Sequence, residues 1–270
     1  MINPSPYKTI AVASTFSPRF GQVLSEAKRI RDRFGATLNL IHVGERNPET
    51  SKKFGEILTG LELPADSTIH YEQGDPAEGI LRALKNNKID MVIAGALEKE
   101  VVLHPFLGNV ARRLVREAEC SIMLFTKPER DPKPLQRIVF VADYSEHARN
   151  ALKRTFHLAL GEPSAHLYVV RVITTFDEAR AKADGDGEKS ETQDDEEIRL
   201  ENFVLSAGPT EVPIEARCIR GNTGFTVADF VQSIQADLLV VPDSPSDDQL
   251  LLPNLVWLGD VIPCNLWVIR

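Results

Sequence analysis

Apolar and polar positions along the chain fall into a pattern that occurs twice. The stretch TIAVASTFSPRFGQVLSEAKRIRDRFGATLNLIHV, from Thr9, opens on a short apolar run, passes through a turn into helical periodicity, and ends on a second apolar run. RIVFVADYSEHARNALKRTFHLALGEPSAHLYVVRV, from Arg137, repeats that layout. Further on, GDPAEGILRALKNNKIDMVIAGA (from Gly74) lies against GNTGFTVADFVQSIQADLLVVPD (from Gly221), placing Asp90 opposite Asp237. EAECSIMLF and DVIPCNLWVI then match near the end of each half, with Cys120 opposite Cys264. Each half therefore reads β-α-β-α-β-α-β-α-β. Strands apolar on both sides and alternating with helices predict an α/β fold: a parallel, doubly wound, five-stranded sheet in each half, the two halves related by a pseudo-twofold.

Between the repeats, KPERDPKP carries three prolines and alternating charge, which predicts an extended connector. The expected organisation is a first domain over 1–127, a linker over 128–135 and a second domain over 136–270. In doubly wound sheets ligands sit outside the carboxyl ends of the strands where the strand order reverses. The turns after the first and fourth strands of each half are thus the candidate sites.

Composition narrows the chemistry. With 43% hydrophobic and 26% charged residues, the 270-residue chain can build one large or two small cores. Three widely spaced cysteines form no CxxC pair, and six scattered histidines include no HExxH, so neither a metal site nor a disulfide framework is expected. Cys120 and Cys264 precede apolar last strands and read as small buried hydrophobes. No apolar run approaches the roughly 18–20 residues of a membrane span, and a cytoplasmic location is expected. The formal net charge is −8, and DGDGEKSETQDDEE, from Asp184, holds seven of those net charges. An acidic chain without a broad basic face is a poor nucleic-acid binder. KRIRDR (Lys28–Arg33) and RRLVR (Arg112–Arg116) fit the wet faces of amphipathic helices. The acidic insert over 177–197 predicts a polar loop that leads into the helix IRLENFVLSAG and could shield the second crevice or recruit a basic partner.

GDPAEGIL (Gly74–Leu81), the strand end DMVIAG, LGNVARRLVREAECSIML (Leu107–Leu124) and ADYSEHARNAL (Ala142–Leu152), in that order and repeated, resemble the universal stress proteins in their tandem form. The resemblance covers nearly the whole chain. It implies a flavodoxin-like domain in each half, and last strands that pair between domains to give an internal pseudo-dimer; a homodimer is left open. Some members bind ATP and others do not. The binders resemble one another in a loop of Gly, two residues, Gly, nine residues, Gly, then Ser or Thr. Glycines admit backbone close to phosphate oxygens, and the helix that follows turns its N–H groups toward the anion.

In the first half Gly95 and Gly108 keep the outer positions of that loop, but Glu98 stands at the middle glycine and Asn109 at the hydroxyl. Gly108-Asn109 also reads simply as a helix start. In the second half Pro242 and Asp243 replace the first glycine, Asp247 and Asp248 add charge, and Asp260 follows Gly259. Nucleotide-binding relatives also carry an Asp just after strand one. The second half has Asp143, which also fits a helix-capping turn with Ser145 and Glu146, and the first half has Ser14 at the aligned place. His42, at the end of the second strand, borders the first crevice.

The candidate nucleotide set is therefore Ser14, His42, Gly95, Gly108 and Asn109, with Asp143 a remnant in the other half. The resemblance and these losses together imply a non-catalytic stress-response binding protein with weakened ATP binding and an unidentified protein partner. The alternative is an adenine-nucleotide sensor working through the first domain, with ATP or the less charged AMP as ligand and at most a slow ATPase. No GxSxG elbow accompanies Asp143, Ser145 and His147, and no catalytic residue is expected.

Overall fold

The computed structural model describes residues 5–14, 18–64, 67–96, 108–174, 193–221, 225–243 and 262–270. The chain forms two units, Met1–Lys133 and Pro134–Arg270, that meet inside the proline-rich connector.

In the first unit β1 (Thr9–Ser14), α1 (Phe20–Phe34), β2 (Thr37–Val43), α2 (Pro48–Gly60), β3 (Ile69–Glu72), α3 (Pro76–Asn86), β4 (Met91–Gly95), α4 (Asn109–Glu117) and β5 (Ser121–Phe125) follow one another. The strands lie in the order β3-β2-β1-β4-β5, all parallel. Helices cover both faces, as neighbouring residues of β2 show. The ring of His42 meets Phe54 of α2, while Val43 touches the place where α3 carries Gly79. Successive strand residues face opposite ways, so α2 and α3 lie on opposite faces. α1 shares the α2 face through Phe20 and Phe54, whose ring centroids are 6.1 Å apart. α4 joins α3, and Arg113 reaches Asp75 at 2.9 Å. Ile10, Val12, Leu40, Ile93 and Ile122 are fully buried between these layers.

The GDPAEGIL segment is explained residue by residue. Gly74 adopts φ +96, which side chains disfavour. Asp75 caps α3 by accepting from Glu78 N at 3.0 Å, and Pro76 occupies the first turn. A Cβ on Gly79 would come within 3.0 Å of Val43 Cγ2, so its bare backbone lets α3 settle on the sheet.

The second unit contains β6 (Arg137–Val141), α5 (Glu146–Leu160), β7 (His166–Ile173), α6 (Gln193–Ser206), β8 (Ile214–Arg220), α7 (Phe225–Ser233), β9 (Leu238–Pro242) and β10 (Asn265–Ile269). Its strands run β10-β9-β6-β7-β8, again parallel. Each unit is thus a doubly wound α/β domain whose strand order reverses at one point, between β1 and β4 or between β6 and β9. The helix expected before the last strand of this half lies outside the described residues. The acidic insert also differs from expectation: its last five residues, Gln193–Glu197, already belong to α6. Three acids in that first turn, Asp194, Asp195 and Glu196, favour a helix start by opposing the positive end of its dipole.

The repeat is exact at one structural detail. Asp90 Oδ2 accepts from the backbone N–H of Lys8 and Thr9, at 2.8 and 2.9 Å. Asp237 Oδ2 does the same for Gln136 and Arg137, at 2.9 and 2.8 Å. The two aspartates tie the amino-terminal edges of the strands together and fix the correspondence between halves.

Candidate functional site

The crevice of the first domain lies beyond the carboxyl ends of β1 and β4. The backbone of Ser14 closes β1 in register with His42 of β2, and Gly95 closes β4. Residues 97–107, Glu98 among them, lie outside the described residues. The chain returns at Gly108, which precedes α4 with φ −64 and ψ 161. That φ suits any residue, so Gly108 is not demanded by backbone geometry. It contributes no side-chain cap, and the exposed Asn109 opens the helix.

Gly95 has a packing reason to be glycine. A Cβ there would stand 2.9 Å from Val23 Cγ2 of α1. Gly95→Ala should destabilise the chain by about 1–3 kcal/mol, the usual cost of overpacking. Combined with Val23→Ala it should cost less than the two single changes together, as read by urea denaturation; strict additivity would remove the contact as the cause.

His42 is 8% exposed and sits in an aromatic cluster. Its ring lies 5.6 Å from Phe54 and 5.9 Å from Tyr71, edge to face, and the Arg46 guanidinium lies 5.7 Å from the centre of the Tyr71 ring. A Cβ on Gly44 would approach His42 Nε2 to 2.6 Å, so that glycine gives the imidazole its room. The structure therefore brings Ser14 and His42 together in register and seats the His42 ring against α2.

The second domain departs from this layout at equivalent positions. Asp90 and Asp237 make Thr9 the counterpart of Arg137, and so Ser14 the counterpart of Ala142. Asp143 then corresponds to Thr15, outside the described residues, rather than to Ser14. Asp143 Oδ1 accepts from Ser145 N at 2.9 Å, and Ser145 Oγ accepts from Ala148 N at 2.9 Å. The Asp143 carboxylate is thus engaged in the turn that starts α5. Tyr144, between them, has φ +65, a conformation that costs a non-glycine residue about 1 kcal/mol or more.

Tyr144 leads to a cluster that sequence reasoning missed. Its hydroxyl donates to Glu196 Oε1 at 2.8 Å. Glu196 also faces Arg171 at 3.6 Å and Arg199 at 3.7 Å, with only 12% of its side chain exposed. Both guanidinium groups lie over the Tyr144 ring, at 5.3 and 4.6 Å, and Phe203 packs edge-on at 5.6 Å. Burial, then the hydrogen bond from Glu196 and its charge, push the Tyr144 phenol well above its ordinary range. Cys218 of β8 lies close by, and burial followed by the negative charges of Glu196 and Glu197 pushes its thiol up to about 11. The strand registers make Arg171 the counterpart of His42 and Cys218 that of Tyr71. The first domain fills this position with aromatic rings; the second fills it with an ion-paired network.

At the end of β9 lies a buried ion pair. Asp243 occupies the place of Ala96, since both N–H groups bond to the last residue of their unit's final strand, Phe125 or Ile269. Arg270 Nε and Nη2 donate to Asp243 Oδ2 at 2.9 and 2.6 Å, with the two side chains 4% and 6% exposed. His147 Nε2 lies 3.0 Å from Ile269 O, and Arg154 donates to Arg270 O at 2.8 Å. Asp243 and Arg270 thus pair at the carboxyl ends of β9 and β10, where the turn toward residues 244–261 begins.

Among the described residues no group of three or more His, Cys, Asp and Glu side chains is arranged to hold a metal ion. No described helix is long and apolar enough to cross a membrane.

Comparison with known proteins agrees with this architecture. The model of the universal stress protein family matches residues 61–126 and 134–252. A curated relative, the universal stress protein in QAH/OAS sulfhydrylase 3'region of Thermus aquaticus, is 27% identical over 135 residues, 44% of this chain and 98% of its own length. Among solved structures, a universal stress protein from Archaeoglobus fulgidus aligns over 98% of this chain and 99% of its own, with TM-score 0.69 at 14% identity. The functionally unknown protein PA1789 from Pseudomonas aeruginosa aligns over 98% and 93%, with TM-score 0.73 at 14% identity. Two copies of the family domain thus account for the internal repeat, and the chain belongs to the universal stress protein family.

Proposed function

We propose that this chain is a non-catalytic stress-response binding protein whose nucleotide binding is weakened in the first domain and lost in the second. The observation that carries this reading is the buried Asp243–Arg270 pair at the second phosphate turn. A triphosphate entering there would have to displace a guanidinium from a carboxylate and then lie beside that carboxylate, a like-charge contact with large cost in a buried setting. Tyr144, Glu196 and Arg171 fill the neighbouring strand ends.

A second reading, an adenine-nucleotide sensor in the first domain, draws on one feature. α4 begins at Gly108 without a side-chain cap, so its first N–H groups suit an anion, and AMP would meet less repulsion from Glu98 than ATP. Calorimetric titration of nucleotide-free protein with ATP, ADP and AMP separates the two. The leading reading expects no saturable ATP binding tighter than about 1 mM in either crevice. Micromolar AMP binding that disappears in Gly108→Asp would put the sensor first.

The protein surface best suited to a partner is the outer side of α6. Ile198 is 56% and Leu205 73% exposed, seven residues apart along one helical stripe, and Asp194, Asp195, Glu197 and Glu201 surround them. A partner presenting apolar and basic groups fits this face. Ile198→Glu should abolish stress-dependent capture of such a partner without lowering the melting temperature; unchanged capture would exclude this face.

A further inference from the structure

Away from the crevice, the run Lys28–Arg33 takes on a role that its sequence does not suggest. Helix α1 runs back along the sheet, so its last two turns lie at the edge opposite the carboxyl ends of the strands. There two other segments stand beside it: the end of α2 with Gly60, Leu61 and Glu62, and the stretch Arg130–Pro132 that follows β5. With Ser25, Lys28, Arg29, Asp32 and Arg33 they line an open cleft of about 470 Å³. That size falls within the range of small-molecule sites, about 300–1,000 Å³.

The wall opposite α1 is held in place by a buried acid. Glu26 is 5% exposed, and its carboxylate accepts from Glu129 N at 3.5 Å and from Arg29 Nη2 at 2.8 Å. Glu129 in turn binds Lys133 at 2.6 Å. The connector is therefore clasped to α1 just before Arg130.

Four cations and two acids line the cleft: Lys28, Arg29, Arg33 and Arg130 against Asp32 and Glu62. Asp32 is taken by Arg31 at 2.7 Å, outside the lining. The dipole of α1 explains cations in its last turn, Arg31 and Arg33. It does not explain Lys28, a turn earlier, or Arg130 on the other wall. Neither Lys28 nor Arg130 meets an acid among the described residues. In a chain of net charge −8, unpaired cations on two sides of one cleft form a local positive site.

We propose that this cleft binds a small anion with at least two linked phosphate groups, a diphosphate or triphosphate moiety. A single phosphate can engage one wall. An anion with two linked phosphate groups offers one to the α1 cations and one to Arg130, with arginine forks and a lysine ammonium as donors. The site is separate from the crevices at the carboxyl ends of the strands and does not depend on the reading given to them.

Calorimetric titration of the full-length, nucleotide-free chain with inorganic pyrophosphate, and in parallel with inorganic phosphate, tests the proposal. Pyrophosphate should bind saturably and at least about tenfold more tightly than phosphate, with affinity falling as salt rises. Lys28→Ala combined with Arg130→Ala should weaken pyrophosphate about tenfold or more, while Arg116→Ala on α4 should leave it within about twofold. Thermal melts confirm that each variant folds, since both cleft side chains lie at the surface. Absence of saturable binding overturns the proposal. So does binding that survives the double substitution, or that weakens equally with Arg116→Ala and so reports only overall charge.

Discussion

Arg270→Ala should destabilise the second domain by about 3–5 kcal/mol, the cost typical of removing one partner from a buried ion pair. Arg270 donates two hydrogen bonds to Asp243, and both side chains are almost fully removed from water. Without the guanidinium, Asp243 would be left buried with its charge uncompensated. Asp243→Ala should be similarly costly, because it removes the buried carboxylate that accepts from two N–H groups of the arginine. Replacing both at once should cost less than either alone, since no orphan charge remains. Urea denaturation of the three variants reads this directly. If the double replacement is as harmful as the sum of the singles, the two side chains act independently and the pair is not what closes the turn.

The second large effect is expected at the opposite edge of the sheets. Asp90→Ala removes a carboxylate that accepts two backbone N–H bonds, from Lys8 and Thr9, and Asp237→Ala does the same to Gln136 and Arg137. Bonds to a charged acceptor contribute about 1.5–3 kcal/mol each when buried, and these are partly exposed, so about 2 kcal/mol for each variant is expected. Asparagine keeps an acceptor oxygen and should recover part of the loss. Amide hydrogen exchange supplies a local check: Thr9 and Arg137 should lose protection in the matching variant. A loss confined to global stability, with exchange at those amides unchanged, would show that the aspartates do not tie the strand edges as described.

These two sites differ in how far the sequence reveals them. Asp90 and Asp237 stand out because they recur at one offset within matching apolar runs, and a local, repeated requirement leaves a local, repeated trace. GDPAEGIL is legible for the same reason: each residue answers to a turn, a cap or a close approach within a few positions. The period of apolar residues likewise gives the parallel, doubly wound sheets.

The contents of the crevices are less legible. Gly95 reads as a phosphate-loop residue, yet its missing Cβ also serves a contact with Val23, 72 positions earlier. His42 reads as a residue at the crevice rim, yet its ring is packed among Phe54 and Tyr71, which come from two other elements. Glu196 looked like the last part of a solvated acidic insert. Its role emerges only when α6 folds against Tyr144 and Arg171, distant in sequence and carried by separate elements. Arg270 meets Asp243 across 27 residues for the same reason: strand pairing, not local pattern, makes them neighbours. One signal was available, because Asp243 and Arg270 place opposite charges directly after β9 and β10, at the carboxyl ends of two neighbouring strands.

The central claim is that the second domain has closed its own crevice, and counting bound nucleotide tests it most directly. Equilibrium dialysis of labelled ATP against the nucleotide-free Lys28→Ala/Arg130→Ala variant, in which the α1 cleft no longer competes for a triphosphate, carried to about millimolar ligand, gives the number of crevice sites per chain. The account expects no more than one ATP per chain, and that one weak and abolished by Gly108→Asp. Two equivalent sites per chain, or a single site indifferent to Gly108→Asp and lost with Asp143→Ala, would show that ATP enters the second domain in spite of Asp243 and Arg270, and would contradict it.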